Sequence, residues 1–151
     1  DEFSSFARMP SAVPELNNLN EMVREATVLQ RVAASDIDIE FALDNVLAPF
    51  KFDRRLMTQA VTNLVKNARE AIEARGAGSA RGQILITTGI SNDQPFIRFT
   101  DNGIGLPQEN RGRLAEPYMT TREKGTGLGL AIVKRIMEEH GGVLRLTDAP
   151  S

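Results

Sequence analysis

The chain lacks cysteine altogether and has a single histidine among its 151 residues. Without cysteine there is no disulfide framework and no thiolate chemistry, and one histidine alone makes a structural zinc site untenable. A formal net charge of −2 gives no electrostatic reason to expect nucleic acid or an anionic membrane as a partner. No apolar run approaches the roughly 20 residues of a membrane span, and no signal peptide opens the chain. We therefore expect one soluble, intracellular domain, with at most a short appendage.

Hydrophobic periodicity predicts three amphipathic helices, over residues 16–32, from an N-cap at Asp53 to about residue 75, and over 130–139. The apolar stripe of the first helix comprises Leu19, Met22, Val23, Ala26 and Leu29. Strands are predicted over 36–43, 50–52, 83–90 and 95–100, and another beginning at 143 and running to 147. The glycines after His140 are expected to end the last helix.

One predicted strand ends on Asp101 and runs directly into Asn102, Gly103, Ile104 and Gly105. Glycine has no Cβ to keep a flat ligand away from the backbone, and the carboxylate can accept a hydrogen bond from the exocyclic amine of a purine. Asp, Asn and Gly are also the usual turn formers, so a plain hairpin turn is the alternative interpretation.

Two asparagines, Asn63 and Asn67, lie one turn apart beside the apolar stripe of the second helix. Side-chain carbonyl oxygens are hard ligands that suit magnesium, which usually keeps waters and bridges to phosphates. The alternative is a pair of solvated surface residues.

A glycine-rich segment from Gly125 to Gly129 opens the third helix. Its backbone amides and the helix start favour an anion, although its spacing matches neither a Walker A loop nor the dinucleotide fingerprint. Arg122 and Lys124 precede it and supply cations for phosphate oxygens, or serve only solubility. The polar, periodless stretch 106–124 is typical of a lid or of disorder. In this order the segments assemble an ATP·Mg²⁺ site.

The chain resembles the catalytic, ATP-binding domain of sensor histidine kinases, in the GHKL superfamily. Four motifs carry the resemblance in the family's order: residues 63–70 resemble its N box, 101–105 its G1 box, 116–121 its F box and 125–129 its G2 box. The opening residues 1–10 resemble the end of the dimerisation helices in nitrogen-regulation sensor kinases of the NtrY type.

The resemblance implies a nucleotide-binding set comprising Asn63, Asn67, Asp101, Gly103, Gly105, Tyr118, Thr121, Arg122, Lys124, Gly125, Thr126, Gly127, Leu128 and Gly129. Asp101 would accept from the adenine amino group with help from the Gly105 backbone, and Asn67 would ligate Mg²⁺ with support from Asn63. Tyr118 stands where the family often has phenylalanine, as an anchor of the lid 106–124.

The implied fold is α+β, a two-layer sandwich of the Bergerat type with a mixed sheet covered on one face by three helices. Residues 1–14 would be the remnant of the second dimerisation helix and linker, and 15–151 the catalytic domain, truncated before its last strand. The domain would be the cytoplasmic portion of an inner-membrane sensor kinase, without direct membrane or nucleic-acid contact. Its partners would be the dimerisation and histidine-phosphotransfer domain of the same kinase and an NtrX-like response regulator.

The chain departs from the family in two respects and from related ATPases in a third. The phosphate-accepting histidine is absent, and His140 fits a helix C-terminal residue favoured by the helix dipole. Ala71 stands where many members place an aromatic ring near adenine, so that stacking would be lost. Asn63 replaces the glutamate of related ATPases, and an amide cannot take a proton. Donation of the ATP γ-phosphoryl to a histidine outside the chain is thus the leading hypothesis, against a GHKL-type ATPase or a non-catalytic nucleotide-binding module.

Overall fold

The computed structural model describes residues 11–33, 36–76, 78–104 and 129–145. The predicted helix tail before residue 10, the predicted lid, and most of the second glycine segment lie outside these ranges. Within them the chain forms three helices and five strands: β1 (Glu15–Asn17), α1 (Leu19–Ala33), β2 (Ile37–Ala42), β3 (Phe50–Phe52), α2 (Arg54–Glu73), β4 (Gly82–Ser91), β5 (Gln94–Asp101) and α3 (Gly129–Glu139). None of these three helices is long and apolar enough to cross a membrane.

The main sheet of the described chain has the strand order β2-β4-β5. Strand β4 runs parallel to β2, with Ile84 opposite Ile39, and antiparallel to β5, with Ile86 opposite Phe99. A tight turn joins β4 to β5, because Asn92 (φ 52°) and Asp93 (φ 64°) both take the left-handed conformation of a type I′ hairpin. The predicted α+β architecture, with a mixed sheet and three helices on one face, is confirmed.

Helix α2 lies at the centre of the helical layer, where it contacts α1, α3 and strands β4 and β5. The core between helices and sheet is aliphatic; its most buried members include Met22, Val23, Leu56, Val61, Val65, Ile132 and Ile136 from the helices and Ile39, Ile84 and Ile86 from the sheet. Each such side chain contributes about 1.5–3 kcal/mol through burial. This packing sets the orientation of α2 and therefore the positions of the polar site residues on it.

Two predicted element bounds and one predicted buried position differ from the structure. Residues 16 and 17 belong to β1, which pairs with β3 in a separate two-stranded sheet, and α1 begins only after the Asn18 side chain accepts from the Glu21 amide (2.9 Å). Leu29 is 78 % exposed and lies outside the buried face of α1. Among the described residues no strand is assigned over 143–145, and Leu144 packs on the core; 146–147 lie outside the described ranges.

Asp53 joins three segments of the fold, as the N-cap of α2. Its carboxylate accepts from the Leu56 amide (3.1 Å) and from the Val13 amide (2.9 Å), and its own backbone N–H donates to His140 Nε2 (2.9 Å). Burial raises the pKa of Asp53, but the backbone N–H groups of Val13 and Leu56 and the nearby Arg55 charge outweigh it, so the pKa lies below its ordinary value of 3.8.

His140 follows the end of α3, as predicted, and uses both ring nitrogens. Because the Asp53 amide can only donate, Nε2 must be an acceptor, and Nδ1 must carry the proton that it donates to the Ile136 carbonyl (2.8 Å). The ring therefore links the end of α3 to the start of α2. A favourable interaction with the helix dipole stays a prediction. Gly141, with φ +70°, turns the chain away from the helix.

Candidate functional site

The carboxylate of Asp101 lies at the end of β5, where the chain leaves the sheet. The residue is half-buried, and its Oδ1 accepts a hydrogen bond from the Gly103 amide (2.8 Å). This bond folds residues 101–103 into a tight turn and fixes the orientation of the carboxylate. One carboxylate oxygen is thus held by the protein, and the group as a whole retains capacity to accept from a ligand amine.

Asn102 ties the same turn to the beginning of β4. Its side-chain Oδ1 accepts from the Gln83 amide (2.8 Å), and its Nδ2 donates to the Arg81 carbonyl (3.0 Å). Its backbone N–H donates to the Gln83 carbonyl (3.2 Å). Sequence reasoning did not single out Asn102, although an asparagine between a strand end and a glycine is a residue type that bonds to nearby backbone.

Gly103 lies directly against helix α2. A Cβ added at Gly103 would stand 2.6 Å from both the carbonyl carbon and the Cβ of Ala71, and 2.8 Å from the Ala71 oxygen. The Ile104 amide donates to that same oxygen (3.1 Å). Ala71 is only 6 % exposed, so the turn covers it. Residue 103 must therefore be a glycine because two backbones approach each other closely here. From the sequence motif, the glycine was expected only to let a ligand approach the backbone.

Asn67 faces the first residue of helix α3. Its side chain is half-buried, and a Cβ added at Gly129 would stand 3.7 Å from Asn67 Oδ1, which is ordinary contact distance. Asn63 lies one turn earlier on α2 and is also half-buried. Asn67 and Ala71 are four residues apart and so share one face of the helix. That face brings the turn after β5 and the start of α3 together.

The structure describes five of the predicted site residues: Asn63, Asn67, Asp101, Gly103 and Gly129. The others, Gly105, Tyr118, Thr121, Arg122, Lys124, Gly125, Thr126, Gly127 and Leu128, lie outside the described residues. Ala71 is a contact that sequence reasoning missed in this role; its position one turn after Asn67 was the available signal.

The described donors suit a nucleotide and its metal ion. A carboxylate beside a glycine backbone fits an amine on a flat ring, and the Asn67 amide oxygen fits a hard cation. In the described ranges no cluster of three or more His, Cys, Asp or Glu side chains stands ready to hold a metal on its own. A cation at Asn67 would therefore take most of its ligands from phosphate oxygens and water, as Mg²⁺ commonly does.

Comparison with known proteins gives consistent relatives. Residues 52–151 match the family described as histidine kinase-, DNA gyrase B- and HSP90-like ATPase. The nitrogen regulation protein NtrY of Azorhizobium caulinodans is 50% identical over 99% of this chain, which spans only 20% of that relative. The catalytic domain of histidine kinase ThkA has a TM-score of 0.77 at 32% identity, covering 92% of this chain and 89% of its own. Histidine kinase ThkA in complex with response regulator TrrA has a TM-score of 0.72 at 30% identity, over 93% of this chain and 39% of its own.

Proposed function

This chain belongs to the family of histidine kinase-, DNA gyrase B- and HSP90-like ATPases, as an ATP-binding catalytic domain of the sensor histidine kinase type, and from that premise we propose how its residues hold the nucleotide and where the phosphoryl group goes. Asp101 accepts from the adenine amino group. Asn67 would hold Mg²⁺, supported by Asn63, and the ion would supply positive charge at the phosphates. The γ-phosphoryl group is donated to a histidine on a dimerisation domain that is not part of this sequence.

One observation carries this proposal: a single face of α2 lies beside both the turn after β5 and the start of α3. Ala71 packs against Gly103 beside Asp101, and Asn67, one turn away, faces Gly129, where an added Cβ would stand 3.7 Å from its Oδ1. A purine at the first contact and phosphates at the second are joined by a ribose, and one helical turn of about 5.4 Å is a suitable spacing for that linkage. The geometry supports one extended ligand rather than two separate sites.

The phosphate end uses charge and backbone amides. Helix α3 begins at Gly129, and its N-terminus supplies partial positive charge toward an anion. Arg122, Lys124 and the amides of residues 125–129 are proposed to complete this side, with Tyr118 and Thr121 on the lid. When bound, Mg²⁺ would neutralise charge on the phosphate oxygens. The chain's own contribution is to position the nucleotide and keep it intact.

The acceptor must come from outside, because His140 is committed to the fold. Both of its ring nitrogens are hydrogen-bonded to backbone groups, so neither is available to attack phosphorus. Asn63 also favours transfer over hydrolysis, since an amide cannot activate water as a base. We therefore place the receiving imidazole on the dimerisation domain of the same kinase.

The wider setting follows from the relatives. The identity to NtrY supports a role in nitrogen regulation, and the ThkA–TrrA complex supports a response regulator as the next recipient of the phosphoryl group. We propose an NtrX-like regulator for this chain and a sensor kinase anchored in the inner membrane, with this domain in the cytoplasm. Residues 1–14 would lead from the second dimerisation helix into a catalytic domain over 15–151.

The first experiment is Asp101→Asn, measured by calorimetry with ATP and Mg²⁺. An asparagine can still accept from Gly103, but it presents a donor where the adenine amine also donates. The expected loss is about 1–3 kcal/mol, or roughly 5- to 150-fold in affinity. Asp93→Asn makes the same chemical change in the exposed hairpin turn and should leave affinity unchanged. Equal affinities of the Asp101→Asn and wild-type proteins would refute the assigned role.

A second experiment distinguishes the contribution of metal ligation to ATP affinity from that of base recognition. Asn67→Ala should weaken ATP binding mainly when Mg²⁺ is present, because the lost amide oxygen acts through the cation. Titrations with Mg²⁺ and with a chelator provide the comparison within one protein. Equal losses under both conditions would contradict ligation by Asn67.

A third experiment tests phosphoryl transfer. The chain is mixed with a histidine-bearing dimerisation domain of an NtrY-type kinase and ATP, and acid-labile phosphate on that domain is measured. Transfer with little ADP formed by the chain alone is the expected result. Repeated ATP turnover without the partner would instead favour the ATPase alternative, and binding without either product would favour a regulatory module.

A further inference from the structure

We infer that Asn102 is a positioning residue for adenine recognition: its side chain ends the β4–β5 ladder and thereby holds Asp101 and Gly103 where they meet the base. This inference rests on the proposed function of Asp101. It concerns a residue that has no assigned contact with the nucleotide and acts only through its two neighbours.

The ladder register shows what the side chain replaces. Strands β4 and β5 pair antiparallel, with Ile84 opposite Asp101, so Gln83 and Asn102 form the next pair. In a regular hydrogen-bonded pair each residue donates its N–H to the other's carbonyl. Here the Asn102 N–H donates to the Gln83 carbonyl (3.2 Å), but the Gln83 N–H donates to the Asn102 side-chain Oδ1 (2.8 Å). The side-chain amide thus stands in for the backbone carbonyl of the same residue.

The substitution of side chain for backbone releases the main chain from the sheet. Because Gln83 is already satisfied, the peptide after Asn102 is free to turn toward α2, where Gly103 approaches Ala71. The Gly103 N–H then meets Asp101 Oδ1 (2.8 Å). The second side-chain bond, from Nδ2 to the Arg81 carbonyl (3.0 Å), sets the orientation of the amide, so that its oxygen rather than its nitrogen faces Gln83.

Removing the side chain should therefore change the direction of the turn. Without Oδ1, the Gln83 N–H is left to solvent or to the backbone carbonyl of residue 102. The second option continues the ladder by one residue and draws Gly103 away from Ala71 and from the Asp101 carboxylate. Base recognition would suffer first, because it depends on the carboxylate, whereas the phosphate end of the site lies near Gly129.

The test compares ATP with inosine triphosphate, whose base has no amino group. Calorimetry with Mg²⁺ gives the ratio of the two affinities for the wild-type, Asn102→Ala and Asn102→Asp proteins. We expect Asn102→Ala to lower ATP affinity about five- to tenfold with a smaller change for inosine triphosphate, so that the ratio falls. Asn102→Asp keeps an acceptor for the Gln83 amide but loses the donor to the Arg81 carbonyl, so its affinity ratio should lie between those of the wild type and Asn102→Ala.

Amide hydrogen exchange without nucleotide provides a second readout. The Gln83 and Gly103 amides should exchange faster in Asn102→Ala than in the wild type. The matched control is Asn18→Ala, which removes another exposed asparagine that accepts one backbone N–H, from Glu21. It should destabilise α1 without changing the affinity ratio or the exchange of the Gln83 and Gly103 amides.

The outcomes separate this inference from the proposed function. If the wild type prefers ATP, Asp101→Asn abolishes the preference and Asn102→Ala retains it, the role of Asp101 stands and that of Asn102 is overturned. Equal loss of both nucleotides in Asn102→Ala would indicate a purely structural effect and would also overturn it. If the wild type has no preference for ATP, the adenine role of Asp101 fails, and the inference about Asn102 fails with it.

Discussion

Gly103→Ala is the smallest change that tests the contact between the turn after β5 and helix α2. The added Cβ would stand 2.6 Å from two Ala71 carbon atoms, whereas carbon atoms in contact are about 3.5–4.0 Å apart. The turn must therefore move by about 1 Å, because α2 is held in the core. Such a shift breaks the bond from the Ile104 amide to the Ala71 carbonyl, now 3.1 Å. Overpacking costs about 1–3 kcal/mol and the lost bond about 0.5–1.5 kcal/mol, or about 1.5–4.5 kcal/mol together.

That cost can reduce stability or, if the turn swings away, ATP affinity, so both are measured. Urea unfolding gives the first quantity, and calorimetry with ATP and Mg²⁺ gives the second; we expect at least a tenfold loss of affinity. Gly142→Ala is the matched control, because its Cβ would meet chiefly the terminal methyl of Met137 (2.9 Å), which can rotate aside. If Gly103→Ala matched the control in both measurements, the close approach to Ala71 would have no consequence and the reasoning would be refuted.

Three further predictions concern the frame around the site. Because the folded pKa of Asp53 is below 3.8, its carboxylate stabilises the fold above that pH, and this stabilisation is lost as pH falls through the lowered pKa. Urea unfolding should therefore show wild type to be about 1 kcal/mol more stable than Asp53→Ala at pH 7, with a smaller difference in acid. A difference that stays constant with pH would contradict this. His140→Ala leaves the Asp53 amide unpaired and should cost about 1–3 kcal/mol by urea unfolding, with an unchanged midpoint as the contrary result. Asp93→Gly relieves a left-handed residue in the hairpin and should add about 0.5 kcal/mol, whereas a lower melting temperature would argue against the type I′ turn.

The ends of helices were predictable where a nearby side chain caps the helix or a glycine turns the chain away from it. Asp53 caps α2 as expected, and Gly141 turns the chain after α3. The start of α1 also has a local cap, since the Asn18 side chain accepts from the Glu21 amide, but the apolar pattern continues upstream through Leu16, which pairs with Lys51 across the small sheet. That pairing is a tertiary contact, and apolar spacing alone extends the helix through it.

Burial was predictable from periodicity except where a polar residue replaces an apolar one. In α1, Leu29 was predicted to be buried but is solvent-exposed, and Thr27 is buried in the core instead. Its hydroxyl donates to the Val23 carbonyl (3.1 Å) within the same helix, so burial leaves no unpaired polar atom. A hydropathy pattern counts threonine as polar and cannot register that its hydrogen bond is already made.

The candidate site shows the same division between chemistry and contact. The placement of Asp101 at a strand end and of Asn67 on a helix was predictable from the sequence pattern, and their roles toward a nucleotide and a metal ion stay proposals. The meeting of Gly103 with Ala71 was not predictable, because it requires knowledge of which helix face the turn approaches. From the sequence, Ala71 indicated only a missing aromatic ring, and the loss of stacking with adenine stays a prediction. In the fold, the small size of Ala71 allows the backbone of Gly103 to pack against α2, because a larger side chain at 71 would occupy that space. Because Asn67 lies on the same face, the size of residue 71 and the position of the Asn67 amide are coupled through α2. Under the proposed assignments, a larger side chain at 71 should weaken binding of the base before it weakens binding of Mg²⁺, which calorimetry with and without the metal would show.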